Sequence, residues 1–245
     1  MSREMRFSGR TYAVIGGAGG IGAHLCQSLM EQGGTVFCLD IAHPGDRDQD
    51  STFLEINVRS ESSIQQAVAE IYRQTDAPVN LINCAGVVEN DIAAEEMPAD
   101  EFDRVMGVNL RGVFLACREF GRELLARGGG SIVNVASMSG NHVVNAPQRQ
   151  SVYNSSKAGV AALTRSLAVE WGGRNVRVNC VSPGYVDTPL NALKKHMHGS
   201  WKEGTVLGRF ATLSEVTGAI EYLLSDEAGY CCGTELLLDG GSSLR

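Results

Sequence analysis

Strand-like and helix-like stretches alternate along this chain with a regularity that few architectures allow. Residues 12–15, 36–39, 79–82, 131–135, 176–181 and 235–238 are short apolar runs rich in β-branched side chains, and residues 53–56 read as a further strand. Between them, residues 21–32, 62–74, 102–127, 152–171 and 214–224 repeat their apolar side chains with a helical period. Strands that read as continuous apolar runs are buried on both faces, and strands that each feed a helix pair in parallel. The expected fold is therefore α/β: a Rossmann-type, doubly wound parallel sheet of about seven strands with helices on both faces. No internal repeat, linker or compositional break divides residues 1–245, so a single domain is expected. Residues 189–210 break the rhythm, being polar and without a clean period. They carry His196, His198 and Trp201, and a segment of this kind suggests a lid over a site.

Composition narrows the setting. Of 245 residues, 29 are glycine and 6 proline, short of the roughly 25–30% combined share of low-complexity chains. The formal charge of −7 argues against general affinity for nucleic acid or anionic membranes. Cys26, Cys38, Cys84, Cys117, Cys180, Cys231 and Cys232 form no CxxC or Cys/His ligand spacing, so no metal site is expected. Residues 1–10 lack the apolar core of a signal peptide, and no 18-residue apolar span occurs. The expected home is the reducing cytoplasm.

The first strand runs directly into Gly16-Gly17-Ala18-Gly19-Gly20-Ile21-Gly22 and then a helix. Glycines permit a tight turn and a close backbone approach, while a helix N-terminus offers free N–H groups and a favourable dipole. Asp40 ends the next strand, 18 residues beyond Gly22. A carboxylate there accepts hydrogen bonds from an adenosine ribose, so the combination points to a dinucleotide. Asp40 would also repel a 2′-phosphate, and no Arg or Lys lies in residues 11–22 or 41–43. Arg47 is the nearest cation beyond that strand. The cofactor expected is NAD rather than NADP.

Tyr153 and Lys157 stand four apart on a predicted helix and so face one way. A cation beside a phenol favours the phenolate, which suits proton exchange with an alcohol or carbonyl oxygen. Ser137 follows the strand 131–135 and would present its hydroxyl at the carboxyl edge of the sheet, where open α/β folds bind ligands.

With these pieces in order, the chain resembles the short-chain dehydrogenase/reductase family along nearly its whole length. The matching pieces are Gly16, Gly20 and Gly22, then Asn83-Cys84-Ala85-Gly86, Asn109 in VNL, Ser137, and Tyr153 with Lys157. Ser182-Pro183-Gly184 with Thr188 and the closing Leu238-Asp239-Gly240-Gly241 complete the set. The resemblance implies a tetrad of Asn109, Ser137, Tyr153 and Lys157. In it Tyr153 is the acid/base, Ser137 orients the substrate oxygen, Lys157 binds the nicotinamide ribose and lowers the tyrosine pKa, and Asn109 holds the water of a proton relay. It further implies that Val186 and Thr188 contact the nicotinamide carboxamide, with Pro183 and Gly184 beside them. Asn83, Ala85 and Gly86 would line the adenosine side, and Asn57 and Val58 would lie near adenine. The assembly implied is a homotetramer, with helices 102–127 and 152–171 between subunits. This sequence departs from the pattern at Ile15, Asn57 and Cys84, where threonine, aspartate and asparagine are commoner.

Between Ser137 and Tyr153 the chain is polar and amide-rich. A site for fatty or steroid substrates should be apolar there, whereas a polyhydroxylated substrate needs several donors and acceptors. SMSG followed by VN-x-PQ is similar to the sugar-alcohol dehydrogenase and ketose reductase branch. Asn145 and Gln148 match that pattern, and Ser139 is the next substrate candidate. His142, His196, His198 and Trp201 are left without assigned roles. The leading expectation is an NAD-dependent oxidoreductase passing hydride between nicotinamide and a secondary alcohol or ketone, most simply a polyol. A 3-oxoacyl-carrier-protein reductase or broad ketone reductase stays open, as does a dinucleotide-binding sensor without turnover.

Overall fold

The seven apolar runs pair side by side as one parallel sheet in the computed structural model, which describes residues 5–42, 51–188, 191 and 195–245. The strands are β1 (Thr11–Ile15), β2 (Thr35–Asp40), β3 (Thr52–Glu55), β4 (Val79–Asn83), β5 (Gly130–Val135), β6 (Val176–Pro183) and β7 (Glu235–Leu238), in the order β3-β2-β1-β4-β5-β6-β7. The helices that matter are α1 (Gly20–Glu31), α2 (Glu61–Gln74), α3 (Ala99–Met106), α4 (Val113–Ala126), α5 (Met138–Asn141), α6 (Ser151–Trp171), α7 (His198–Glu203) and α8 (Leu213–Leu224).

Alternation along a strand explains why each one reads as wholly apolar. In β1, Ala13 and Ile15 face one layer, where they meet Ile64 and Ile71 of α2, Phe120 of α4 and Val160 of α6. Tyr12 and Val14 face the other, with Leu25 and Leu29 of α1 and Val216 and Ile220 of α8. Burial of each large side chain contributes about 1.5–3 kcal/mol, and both faces of the sheet collect it. Strand order reverses between β1 and β4, so the crevice lies beyond their carboxyl ends. Among the described residues no helix is long and apolar enough to cross a membrane.

The stretch 102–127 is not one helix. A π-helical turn, Gly107–Gly112, separates α3 from α4. Its wider winding seats Asn109 in the interior, and a Cβ on Gly112 would come within 3.0 Å of the Val58 side chain. Such π-turns recur at functional sites, where they re-aim one side chain.

Candidate active site

A glycine turn joins β1 to α1. Gly16 has φ +82°, and a Cβ there would stand 2.5 Å from the Ala85 nitrogen. A Cβ on Gly22 would stand 2.1 Å from the Gly16 carbonyl oxygen, so the turn closes only with glycine at both places. α1 then begins behind Gly19 with no side-chain cap and no acidic residue in its first turn. By contrast, α2 is capped by Ser60 and α8 by Thr212. An uncapped N-terminus at the crevice keeps its N–H groups and dipole for an anion, the requirement of a pyrophosphate. Asp40 is fixed beside it: its carboxylate accepts the Ala18 N–H at 3.0 Å and the Ile41 N–H at 2.7 Å. Arg47 lies outside the described residues.

The rest of the expected cofactor set divides. Ile21, Gly86, Pro183, Gly184, Val186 and Thr188 line one open cleft of about 910 Å³. Ala85 packs against the glycine turn and donates its N–H to Ile15 at 3.0 Å. Asn57 is exposed, its amide oxygen accepting the Arg59 N–H at 3.0 Å, while Val58 sits under Gly112. Asn83 ends β4. Its side chain points into the core, donating to Asn134 at 2.8 Å, and Asn134 donates on to Thr164 at 2.9 Å. A buried amide must satisfy its hydrogen bonds, and the Asn83 side chain does so within the core.

Ser137, Tyr153 and Lys157 meet in the same cleft. Ser137 follows β5 and caps α5; its hydroxyl lies 2.9 Å from that of Ser139 and favours ionisation of the Tyr153 phenol. Ser139 is therefore buried behind Ser137 and is not among the residues lining the cleft. Lys157 donates to the Val135 carbonyl at 2.7 Å, and its Nζ is 5.8 Å from the centre of the Tyr153 ring. That carbonyl is available because β4 pairs with β5 only as far as Asn83 with Asn134, after which Cys84 bonds Ile15 instead. Asn109 stands behind them. Its amide accepts the Val87 N–H at 2.9 Å and donates to the Val87 carbonyl at 2.8 Å and Ser156 at 3.0 Å. Lys157 and Asn109 converge on Gly86, where a Cβ would lie 3.3 Å from Nζ and 3.6 Å from the Asn109 oxygen.

The electrostatics differ from the simple phenol–cation picture. Burial raises the Tyr153 phenol above its ordinary value, the Ser137 hydrogen bond opposes this, and the charge of Glu89 adds to the rise. Burial pushes the Lys157 ammonium down to about 8. Lys157 is not among the groups that shift the Tyr153 phenol here. Both groups are desolvated, and the ammonium is spent on a backbone carbonyl.

On the substrate side, Asn145 and Gln148 line the cleft together with Gln150, Tyr185 and Trp201. Asn145 donates to Gln150 at 3.0 Å, and Trp201 stacks on Tyr185 with centroids 4.5 Å apart and planes at 9°. Residues 189–190 and 192–194 of the segment expected to be a lid lie outside the described residues; α7 belongs to the remainder. His198 sits there, bonded to the Asn191 carbonyl at 3.0 Å, and His196 is exposed. His142 pairs with Glu235 at 3.2 Å. Sequence reasoning did not find Gln150, Tyr185 or Glu89. None belongs to a spacing motif; a polar residue just before the Tyr153 helix is a signal that could have found Gln150, and nothing comparable marks Tyr185 or Glu89.

The family model described as enoyl-(acyl carrier protein) reductase matches residues 16–243. A galactitol 2-dehydrogenase (L-tagatose-forming) of Cereibacter sphaeroides is 38% identical over 96% of both chains. A D-arabinitol 2-dehydrogenase (ribulose-forming) of Candida tropicalis is 36% identical over 97% of this chain and 94% of its own. Among solved structures, the crystal structure of gox2181 superposes with a TM-score of 0.94 at 32% identity, covering 98% of each chain.

Proposed function

The chain belongs to the short-chain dehydrogenase/reductase family, and from that premise we propose an NAD-dependent dehydrogenase of a polyol or similar hydroxylated small molecule. The chain is an oxidoreductase acting on CH–OH groups of secondary alcohols. The polar wall of the cleft carries the finer reading. Asn145 Oδ1 and the Trp201 indole nitrogen are both buried without a hydrogen-bond partner, on residues that line the cleft beside Tyr153. An apolar substrate leaves such groups unpaired at a cost of about 1–3 kcal/mol each, whereas hydroxyls flanking the reacting carbon satisfy them. Absorbance of NADH formed from NAD⁺ across sugar alcohols, aldoses, hydroxy acids and simple alcohols tests this. Sugar alcohols should be the best substrates, and no NADH from any of them would overturn the reading. Trp201→Phe keeps a ring on Tyr185 but loses the N–H donor. It should raise KM for the polyol by about fivefold and leave KM for a simple secondary alcohol unchanged.

The fit of the glycine turn, the uncapped α1 and Asp40 supports a dinucleotide held by those groups, with Gly86, Lys157, Val186 and Thr188 toward its nicotinamide end. When bound, the nicotinamide supplies the hydride acceptor or donor. This chain's residues handle the proton. Ser137 holds the substrate oxygen near the Tyr153 phenol, which takes the hydroxyl proton during oxidation and returns it during reduction. A phenol raised by burial is mostly protonated at neutral pH, so oxidation should speed up as pH rises. Asp40 makes NAD⁺ the better partner. Its kcat/KM should exceed that of NADP⁺ by at least about tenfold, because like charges brought together cost several kcal/mol. The opposite order would defeat the assignment.

Residues 189–210 serve in this reading as the cover of the cleft, with Trp201 its contact. A homotetramer formed through α4 and α6 agrees with the outward Phe114 and Val169 on those helices. Elution at the monomer mass of 26.2 kDa would contradict it. A reducing cytoplasm, in which thiols stay reduced, belongs to the same reading.

A further inference from the structure

Glu89 is a buried carboxylate that the proton chemistry above does not use. It lies three residues beyond Gly86, in a segment that is neither strand nor helix. One of its oxygens accepts the Val152 N–H at 3.0 Å and the Tyr153 N–H at 3.2 Å; the other accepts the Tyr153 N–H at 3.1 Å. Val152 and Tyr153 are the second and third residues of α6. Their N–H groups are the ones that a side chain immediately before a helix normally caps. Gln150 holds that place but makes no cap bond, its side-chain oxygen accepting from Asn145 instead. The cap of the tyrosine-bearing helix therefore comes from more than 60 positions away.

The segment carrying Glu89 is itself tied at every step. Cys84 and Ala85 donate to Ile15 at 2.8 and 3.0 Å. Val87 is gripped on both backbone groups by Asn109, and the Val88 carbonyl accepts Arg104 at 2.7 Å. Asp91 accepts the Arg149 N–H at 3.3 Å. Residues 84–91 thus form a strap from the glycine-turn end of β1 to the first turn of α6. We propose that Glu89 is a positioning residue for proton transfer, holding the backbone of Tyr153 in fixed relation to the cofactor end of the cleft. This rests on the reading of Tyr153 as the acid/base.

The charge of Glu89 has a second consequence. Two neighbours bear on the phenol, Glu89 from the strap and the Ser137 hydroxyl beyond the end of β5, while Lys157 of its own helix stands with Nζ 5.8 Å from the ring centre. Arg104 of α3 faces Glu89, as does the positive end of α6. Glu89 and burial raise the phenol and Ser137 lowers it, so removal of the Glu89 charge lets the tyrosine ionise at lower pH.

Glu89→Gln preserves shape, loses the charge and replaces one acceptor with a donor. Glu89→Asp keeps the charge on a shorter arm. The titration is read by NMR of protein labelled at the tyrosine Cζ, without cofactor or substrate, the Tyr153 signal being the one absent from Tyr153→Phe. In Glu89→Gln its midpoint should fall below the wild-type value. At the same time kcat should drop about tenfold, with the NADH dissociation constant and KM unchanged. In Glu89→Asp the midpoint should stay at the wild-type pH while kcat falls. A lowered melting temperature with unmoved midpoint and kcat in Glu89→Gln would reduce Glu89 to a structural cap and overturn the proposal. Full kcat in Glu89→Asp would do the same, and that test survives if the glutamine variant fails to fold. The midpoint needs no turnover, so it is independent of the proposed function. An inactive wild type, or an active Tyr153→Phe, would instead sink the acid/base reading.

Discussion

Tyr153→Phe should lower kcat by about 10²–10⁴-fold, the usual worth of a positioned general acid or base, while NADH binding stays within about twofold of wild type. Tyr153 is half-buried and lines the cleft with Ser137, where Lys157 and Gly86 also converge. A phenyl ring fills the same space, and Ser137 keeps Ser139 at 2.9 Å as a partner, so the fold loses little. The groups that fit a dinucleotide, the glycine turn and Asp40, lie on β1, α1 and β2 and do not touch the phenol. Binding and turnover should therefore separate. NADH fluorescence on binding and NADH absorbance during polyol oxidation read the two halves. The rise of oxidation with pH should vanish from any residual activity, because the group that ionises is gone. Turnover near the wild-type rate would show that another group moves the proton.

What the sequence made legible follows from how each feature is encoded. Strands buried on both faces must be apolar at every position, so β1 was visible from TYAVI alone, and the parallel order followed from the intervening helices. The glycine turn was visible because no other residue closes it: Gly22 meets a carbonyl and Gly16 a neighbouring backbone. Features that depend on distant partners were not. A continuous period over 102–127 hides the π-turn, since one extra residue per turn barely disturbs an apolar stripe. Asn83 sits where a cofactor contact was expected, but its amide found Asn134 across the sheet. Glu89 resembles any surface glutamate until the fold brings it against α6. The phenol–cation spacing was correct as geometry and incomplete as electrostatics, because burial outweighs a cation that is hydrogen-bonded elsewhere.

Lys157→Met should abolish at least about 99% of turnover and also change how stability depends on pH. Lys157 is 4% exposed, and its Nζ donates to the Val135 carbonyl rather than to a carboxylate. Cys84, whose charge would favour the ammonium, is itself pushed up to about 12 by burial and is neutral at working pH. Burial thus takes the ammonium from 10.5 down to about 8. Between those values the unfolded chain holds a proton that the folded chain has released, so stability rises with pH across that window. Below it both states are charged and the whole burial cost is present, on the order of 3 kcal/mol. Methionine occupies similar volume and does not titrate. It also leaves the Val135 carbonyl unpaired, a pH-independent loss of about 1–3 kcal/mol. The difference in unfolding free energy between wild type and variant, measured in urea, should therefore move in favour of wild type by about 2–3 kcal/mol between about pH 7 and pH 11. A flat difference would mean that water reaches the ammonium. The expected slope would mean that the fold carries a costly buried cation for the sake of the cleft, beside the phenol that it must keep in place.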